Sequence, residues 1–92
     1  MIAQTTRPDQ AFQLLGSIIR TFRKQQGLTQ RALAARVGLT TTYVCAIERG
    51  QRNVTLWTLL YIAAALQVPL STLLEPLEQY RELYTVPRQS HG

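Results

Sequence analysis

The spacing of apolar residues along the chain predicts a series of short helices. Phe12, Leu15, Ile18, Ile19 and Phe22 recur at intervals of three and four residues, the stripe of an amphipathic helix. Further stripes of helical period follow at Leu33, Ala34 and Val37; at Val44 and Ile47; at Leu56, Leu59, Leu60, Ala63 and Leu66; and at Leu73, Leu74 and Leu77. Alternation of period two never lasts more than a few residues. The pattern therefore predicts an all-α globule.

Threonine, glycine and proline mark where these helices begin and end. Thr29, Thr40 and Thr55 each precede an apolar stripe and are candidate N-caps, with the third helix starting at Thr40 or Thr41. Gly27, Gly38 and Gly50 follow the first three stripes and are candidate C-terminal residues of left-handed conformation. Val68-Pro69 ends the fourth helix, and Ser71 is the expected cap of a fifth helix near Thr72. Pro76 either kinks that helix or starts a new one through Tyr80 and Tyr84.

The charge of the chain is concentrated in its first part. Residues 1–53 carry eight basic and two acidic side chains, a net +6, whereas residues 54–92 carry two basic and three acidic ones, a net −1. Nine of the ten basic residues are arginines, whose planar guanidinium suits phosphate oxygens. A length of 92 residues is typical of a single small domain. These features indicate a protein with an anionic partner.

Composition also excludes several classes of protein. A single Cys rules out an intramolecular disulfide, and one Cys with one His rules out a Cys/His zinc site. The longest uncharged stretch, residues 53–74, is interrupted by polar residues and does not predict a membrane-spanning helix. The N-terminus lacks the pattern of a secretory signal. With no phosphate-binding glycine loop and no catalytic constellation, we expect no enzyme activity, no metal and no cofactor.

Residues 30–49 have the order of a helix-turn-helix. A short helix ends at Gly38, Leu39 fills the turn, and a second helix follows at once. Ala34 and Ala35 are small where the two helices must cross closely, and Val44 and Ile47 would pack the second helix onto the first. In such a motif the second helix lies in the major groove of DNA and reads bases from its N-terminal residues.

The stretch from Leu15 to Glu75 resembles the helix-turn-helix family of phage repressors and Cro proteins. The resemblance rests on G-L-T-Q-R-A-L-A at 27–34, V-G-L at 37–39, Y-V-C-A-I-E-R-G-Q-R-N at 43–53 and L-x-x-L-L-x-I-A-x-A-L-x-V-P at 56–69. It implies a five-helix, lambda-repressor-like DNA-binding domain over residues 9–75. A flexible arm (1–8) would precede it, and a C-terminal helical extension (76–84) and a disordered tail (85–92) would follow. The run T-T-T-Y-V-C-A-I-E-R-G-Q-R-N-V-T at 40–55 is also similar to controller proteins of restriction–modification operons.

Position and resemblance together assign residues to roles. We expect DNA base contacts from the groove-facing residues of the recognition helix, about residues 41–49, which are Thr41, Thr42, Cys45 and Ala46. We expect DNA backbone contacts from Gln30, Tyr43, Arg49, Arg52 and Asn53. The resemblance further implies a structural salt bridge between Arg23 and Glu48, at least partly buried, that positions the recognition helix.

Surplus apolar surface predicts a homodimer. Trp57 is expected to face outward, and the C-terminal segment carries more apolar residues than a small core needs, so the expected dimer interface is Trp57, Leu70, Leu74, Leu77, Tyr80 and Tyr84. Two-fold symmetry would place two recognition helices one DNA turn apart on a pseudo-palindromic operator.

The favoured function is that of a dimeric, autoregulatory transcription regulator of the bacterial or phage cytoplasm, associated with the nucleoid. An antitoxin-like module, which binds a partner protein and autoregulates its operon, is the alternative, and a nonspecific nucleic-acid binder is a third. The sequence leaves open whether the chain is a restriction–modification controller, a phage regulator or an antitoxin.

Overall fold

The computed structural model describes residues 8–84, with the side chains of residues 10–81, and this part of the chain contains helices and no strand. The α-helices are α1 (Pro8–Gln25), α2 (Gln30–Val37), α3 (Thr41–Glu48), α4 (Leu56–Leu66) and α5 (Leu70–Leu74), and a 3-10 segment (Glu75–Tyr84) follows. The all-α, five-helix prediction is confirmed. The proposed arm and tail lie outside the described residues, except that Pro8 is the first residue of α1.

Threonine side chains cap the three helices at which the sequence predicted them. The hydroxyl oxygen of Thr29 accepts a hydrogen bond from the Ala32 amide at 3.0 Å, and that of Thr40 accepts one from the Tyr43 amide at 3.1 Å. Thr55 accepts from the Thr58 amide at 3.1 Å. Gly27, Gly38 and Gly50 all have positive φ, as their places after helix ends predicted. The helix-turn-helix is therefore delimited by its own local sequence.

The C-terminal region differs from the sequence prediction. The fifth helix begins at Leu70, with Pro69 rather than Ser71 at the N-cap position and no side-chain cap. Proline adopts the extended N-cap conformation with ψ 147°, and its carbonyl accepts the Thr72 amide at 2.9 Å. Beyond Leu74 the chain continues as the 3-10 segment because Pro76 has no N–H with which to extend an α-helical ladder.

All five helices contribute to one core. The buried apolar side chains come from α1 (Leu15, Ile19), α2 (Leu33, Ala34), α3 (Val44, Ile47), the following loop (Val54), α4 (Leu59, Ile62, Ala63, Leu66) and α5 (Leu73). Burying a side chain such as Ile or Leu contributes roughly 1.5–3 kcal/mol. The helix-turn-helix is thus held by packing, since helices of two turns are unstable in isolation.

The orientation of α4 corrects the predicted core. Leu56 and Leu60 were expected inside, yet they are 60% and 38% exposed, and Ile62 takes the buried place. The inward stripe is Leu59, Ile62, Ala63 and Leu66, which has the same three- and four-residue spacing. Both faces of this helix are apolar, so periodicity alone could not choose between them.

No single helix among residues 8–84 is long and apolar enough to span a membrane. The helix α4 and the segment from Leu70 reach the necessary length and hydropathy only as a pair, and that pair is bent by 110°.

Gly16 sets the distance between α1 and α3. A Cβ atom at this position would meet the backbone carbonyl oxygens of Ile47 and Glu48, the latter at 2.6 Å. Because those atoms belong to backbone, they cannot rotate away as a side chain would. The absence of a side chain at Gly16 therefore permits the last turn of α3 to rest directly on α1.

We expect Gly16→Ala to lower the free energy of unfolding by about 1–3 kcal/mol, the usual cost of overpacking, despite the better helix propensity of alanine. Urea denaturation followed by circular dichroism measures the change. Ser17→Ala is the matched control, because Ser17 is the exposed neighbour on the same helix and should tolerate the change. A Gly16→Ala variant as stable as the original chain would show that α1 and α3 can separate without cost.

Candidate nucleic-acid interface

The helix α3 divides its side chains between the core and the surface. Val44 and Ile47 are buried, whereas Thr41 and Thr42 at its start are exposed and Cys45 and Ala46 are half-buried. The four residues predicted to contact bases thus lie away from the packed face. All four are small, so the helix surface they form can approach another surface closely.

These four residues line one open groove. The groove has a volume of about 340 Å³, and its other lining residues are Gln30, Arg49 and Gln51. The structure therefore brings the predicted base-contacting residues together with two of the predicted backbone-contacting ones. Gln51 was missed by sequence reasoning, because its place in the groove depends on the path of the loop after α3, where its amide donates to the Ala46 carbonyl at 2.9 Å.

A buried ion pair fixes α3 relative to α1. Arg23 Nε donates to Glu48 Oε2 at 2.6 Å and Arg23 Nη2 donates to Glu48 Oε1 at 3.0 Å, a bidentate arrangement. The two residues are only 7% and 8% exposed. Arg23 Nη1 also donates to the Leu28 carbonyl at 2.8 Å, which closes the connection between α1 and α2. The structure confirms the predicted contact between Arg23 and Glu48.

Gln30 belongs to the same network. Its Nε2 atom donates to Glu48 Oε1 at 3.0 Å. A carboxylate accepts hydrogen bonds only, so it selects the amide nitrogen of Gln30 over the amide oxygen. One N–H of that nitrogen is used by Glu48, and Gln30 also lines the groove. The buried Glu48 carboxylate therefore orients the side chain of Gln30, which the sequence analysis predicted to contact a DNA phosphate.

Arginines border the groove on its neighbouring sides. Arg49 is exposed and lines the groove already described and two more, each of about 480 Å³. One of these includes Arg20 and Thr29, and the other includes Arg52, Asn53 and the start of α1. The loop residues Arg52 and Asn53 are both exposed. The arrangement is a small-residue surface bordered by guanidinium groups, which suits a polyanion with a shaped groove.

Tyr43 lies on the same helix but outside this groove. The guanidinium of Arg52 lies over its half-buried ring, with the Cζ atom 5.3 Å from the ring centroid. Two residues that the sequence treated as separate backbone contacts are therefore in contact with each other.

The residues predicted to form a dimer interface fall into two groups. Trp57 is 68% exposed and stands beside the exposed ring of Tyr61, with ring centroids 6.3 Å apart. Leu70, Leu74 and Leu77 are half-buried and pack partly against the core, and Tyr80 is also half-buried. The side chain of Tyr84 lies outside the part that the structure describes. The exposed face of α4 also contains Tyr61, Leu56 and Leu60, which the sequence analysis did not include in the predicted dimer interface.

Comparisons with known proteins agree with this geometry. The HTH_3 helix-turn-helix family matches residues 19–73. The control protein C.SmaI of Serratia marcescens is 40% identical over 62 residues, which cover 67% of this chain and 74% of that protein. The crystal structure of the restriction-modification controller protein C.AhdI from Aeromonas hydrophila is 39% identical, has a TM-score of 0.68 and covers 70% of this chain and 97% of its own. The hypothetical transcription factor NHTF from Neisseria is 33% identical, with a TM-score of 0.69, covering 90% and 97%.

We expect Glu48→Ala to lower the free energy of unfolding by about 3 kcal/mol, because it leaves the Arg23 guanidinium buried without its carboxylate. The double variant Arg23→Met/Glu48→Leu should lose less than Glu48→Ala alone, since it removes both charges and keeps apolar volume. Urea unfolding of the single and double variants measures both values. Equal losses for the two variants would indicate that packing, rather than the unpaired charge, sets the cost.

Proposed function

This chain belongs to the HTH_3 helix-turn-helix family of DNA-binding transcription regulators, and we propose that it acts as a homodimer on a pseudo-palindromic operator. The observation that carries the proposal is the groove at the exposed start of α3, bordered by arginines and held in place by a buried ion pair. A helix presented in this way suits insertion into the major groove.

The division of labour within the interface follows from side-chain chemistry. Thr41 and Thr42 can donate to base acceptors or place a methyl group against a thymine methyl, while Cys45 and Ala46 offer only small, mainly apolar contacts. Gln30, Arg49, Arg52 and Asn53 would supply the phosphate contacts that set the register, and Tyr43 would take part in them through its contact with Arg52. Because the base-reading side chains are small, we propose that DNA shape and deformability carry part of the specificity.

The exposed face of α4 supports a protein–protein contact. Leu56, Trp57, Leu60 and Tyr61 lie on it, at positions one turn apart, and residues 53–74 contain no charge. Since an aromatic side chain carries roughly 150–250 Å² of surface, the four together expose on the order of 400 Å² of apolar area. That is about half of the ~800 Å² that each partner buries in a standard interface. We propose that Trp57 anchors a two-fold interface that Leu70, Leu74, Leu77, Tyr80 and Tyr84 complete.

The same face also favours the second candidate function. An antitoxin-like module would use an uncharged apolar face to bind a different protein and would repress its own operon through α3. The two functions differ in what covers Trp57: a second copy in the first, and an apolar surface of the partner in the second. A chain that stays monomeric at high concentration would favour the second.

We further propose that the regulator binds upstream of its own gene, in the nucleoid of a bacterial or phage-infected cell. The similarity to the control protein C.SmaI and to the restriction-modification controller protein C.AhdI supports a regulator of this kind.

We expect the DNA upstream of the gene to bind at least about a thousand-fold more tightly than a shuffled duplex of the same composition, a ratio typical of site-specific binders. Affinity should fall steeply with salt, because each neutralised phosphate releases counterions. Fluorescence anisotropy with both duplexes at two salt concentrations measures these quantities. Equal affinity for the two duplexes would contradict site-specific autoregulation.

We expect Trp57→Lys to raise the dissociation constant of the dimer by about thirtyfold or more, the effect of losing an interface residue worth about 2 kcal/mol. Sedimentation equilibrium measures that constant. Ala35→Lys adds the same charge at an exposed position of α2 and should leave it unchanged. A Trp57→Lys dimer as tight as the original would show that the α4 face lies outside the interface.

A further inference from the structure

We infer that Tyr43 holds Arg52 in the position from which Arg52 binds a DNA phosphate, so that the two side chains work as one unit. The inference deepens the proposed function and rests on it. Tyr43 lies in the first turn of α3, and Arg52 lies in the loop between α3 and α4. The Cζ atom of Arg52 is 5.3 Å from the centroid of the Tyr43 ring, within the range of a cation–π contact.

The loop is anchored on both sides of Arg52. Before it, the Gly50 amide donates to the Ile47 carbonyl at 3.0 Å and the Gln51 amide donates to the Ala46 carbonyl at 2.9 Å. Gly50 also lies directly against Gln13 of α1, where a Cβ would come within 2.6 Å of the Gln13 Cα. After Arg52, Val54 is buried in the core. The backbone path is therefore defined, while the long Arg52 side chain extends into solvent and meets the tyrosine ring.

The geometry of a guanidinium explains why such a contact helps to bind phosphate. The Arg52 Cζ atom lies over the ring, and a planar guanidinium in such a contact keeps several of its five N–H donors free for phosphate oxygens. An arginine already held against a ring also loses less conformational freedom when it binds than one that is free in solvent. Tyr43 is half-buried, so its ring has a defined position on the recognition helix.

The contact between Tyr43 and Arg52 therefore fixes where the proposed phosphate contact lies relative to the residues proposed to contact bases. Tyr43 directly follows Thr42, one of the residues proposed to face the bases. An arginine placed by the ring keeps a constant position relative to that residue, although it belongs to a different segment of the chain. Tyr43 is a positioning residue on this view, and its aromatic ring matters more than its hydroxyl group.

The two alternatives for Tyr43 make opposite predictions for Tyr43→Phe. A phosphate contact through the hydroxyl is lost in phenylalanine, whereas the ring that carries Arg52 is kept. Tyr43→Leu removes both. Arg52→Gln removes the charge and leaves the tyrosine in place, so the double variant Tyr43→Leu/Arg52→Gln shows whether the two side chains act through each other.

The experiment measures binding of these variants to the tightest duplex recovered by in vitro selection from a random library, and to its shuffled counterpart. We expect Tyr43→Phe to bind within about twofold of the original chain. Tyr43→Leu should weaken binding by about two- to fivefold for each recognition helix, which gives about 4- to 25-fold for a dimer. Arg52→Gln should weaken binding and reduce the salt slope by about one for each protomer. In the Arg52→Gln background, Tyr43→Leu should have no further effect.

Controls separate this inference from folding and from the proposed function. Thermal melts confirm that each variant is folded, and Arg36→Gln removes the same charge from an exposed position of α2, where its effect should simply add to that of Tyr43→Leu. Equal affinity of the original chain for the selected and the shuffled duplex would contradict the proposed function. Phosphate contacts do not depend on sequence, so the same variant pattern is expected on both duplexes. A Tyr43→Phe variant as weak as Tyr43→Leu, or additive losses in the double variant, would overturn the inference.

Discussion

The buried ion pair between Arg23 and Glu48 is the interaction on which the arrangement of this molecule depends. Removing two charges from water is costly, and the cost is offset here because the Glu48 carboxylate accepts two hydrogen bonds from Arg23 and a third from Gln30. The third guanidinium nitrogen, Nη1, donates to the Leu28 carbonyl in the loop after α1. One polar cluster thus joins α1, the following loop, α2 and α3. Apolar packing brings these helices together, and the directional bonds of the cluster select one arrangement among those that packing would allow.

Local signals in the sequence predicted most of the helix-turn-helix, because each of its boundaries is set by a residue with a distinct conformational preference. Threonine hydroxyls cap α2, α3 and α4, and glycines of positive φ follow α1, α2 and α3. The signals weaken in the second half. Every residue of α4 except Thr58 is apolar, so the sequence did not distinguish the core face, with Ile62, from the exposed face, with Leu56. The helix ends at Leu66 and is followed by Gln67, a left-handed residue that is not glycine and that no simple rule identifies.

The recognition surface was predictable to the extent that it lies on a helix. Helical period placed Thr41, Thr42, Cys45 and Ala46 on one side, and the structure brings them into one groove. Contacts made through the loop after α3 were not predictable, since they depend on a backbone path that periodicity does not describe. Gln51 in the groove and Arg52 over Tyr43 are both of this kind. The orientation of the Gln30 amide likewise follows from a carboxylate that is 18 residues away in the sequence.

Because Gly16 contacts the end of α3 directly, the residues that place this helix are different from those that it exposes at its start. The backbone carbonyls of Ile47 and Glu48 rest on α1 at a point where no side chain intervenes, and the exposed side chains of Thr41 and Thr42 take no part in that contact. Thr41 and Thr42 can then be replaced without shifting the scaffold that presents them. If these residues read bases as proposed, a few surface substitutions would be enough to reach a new operator, while the fold that presents them stays constant.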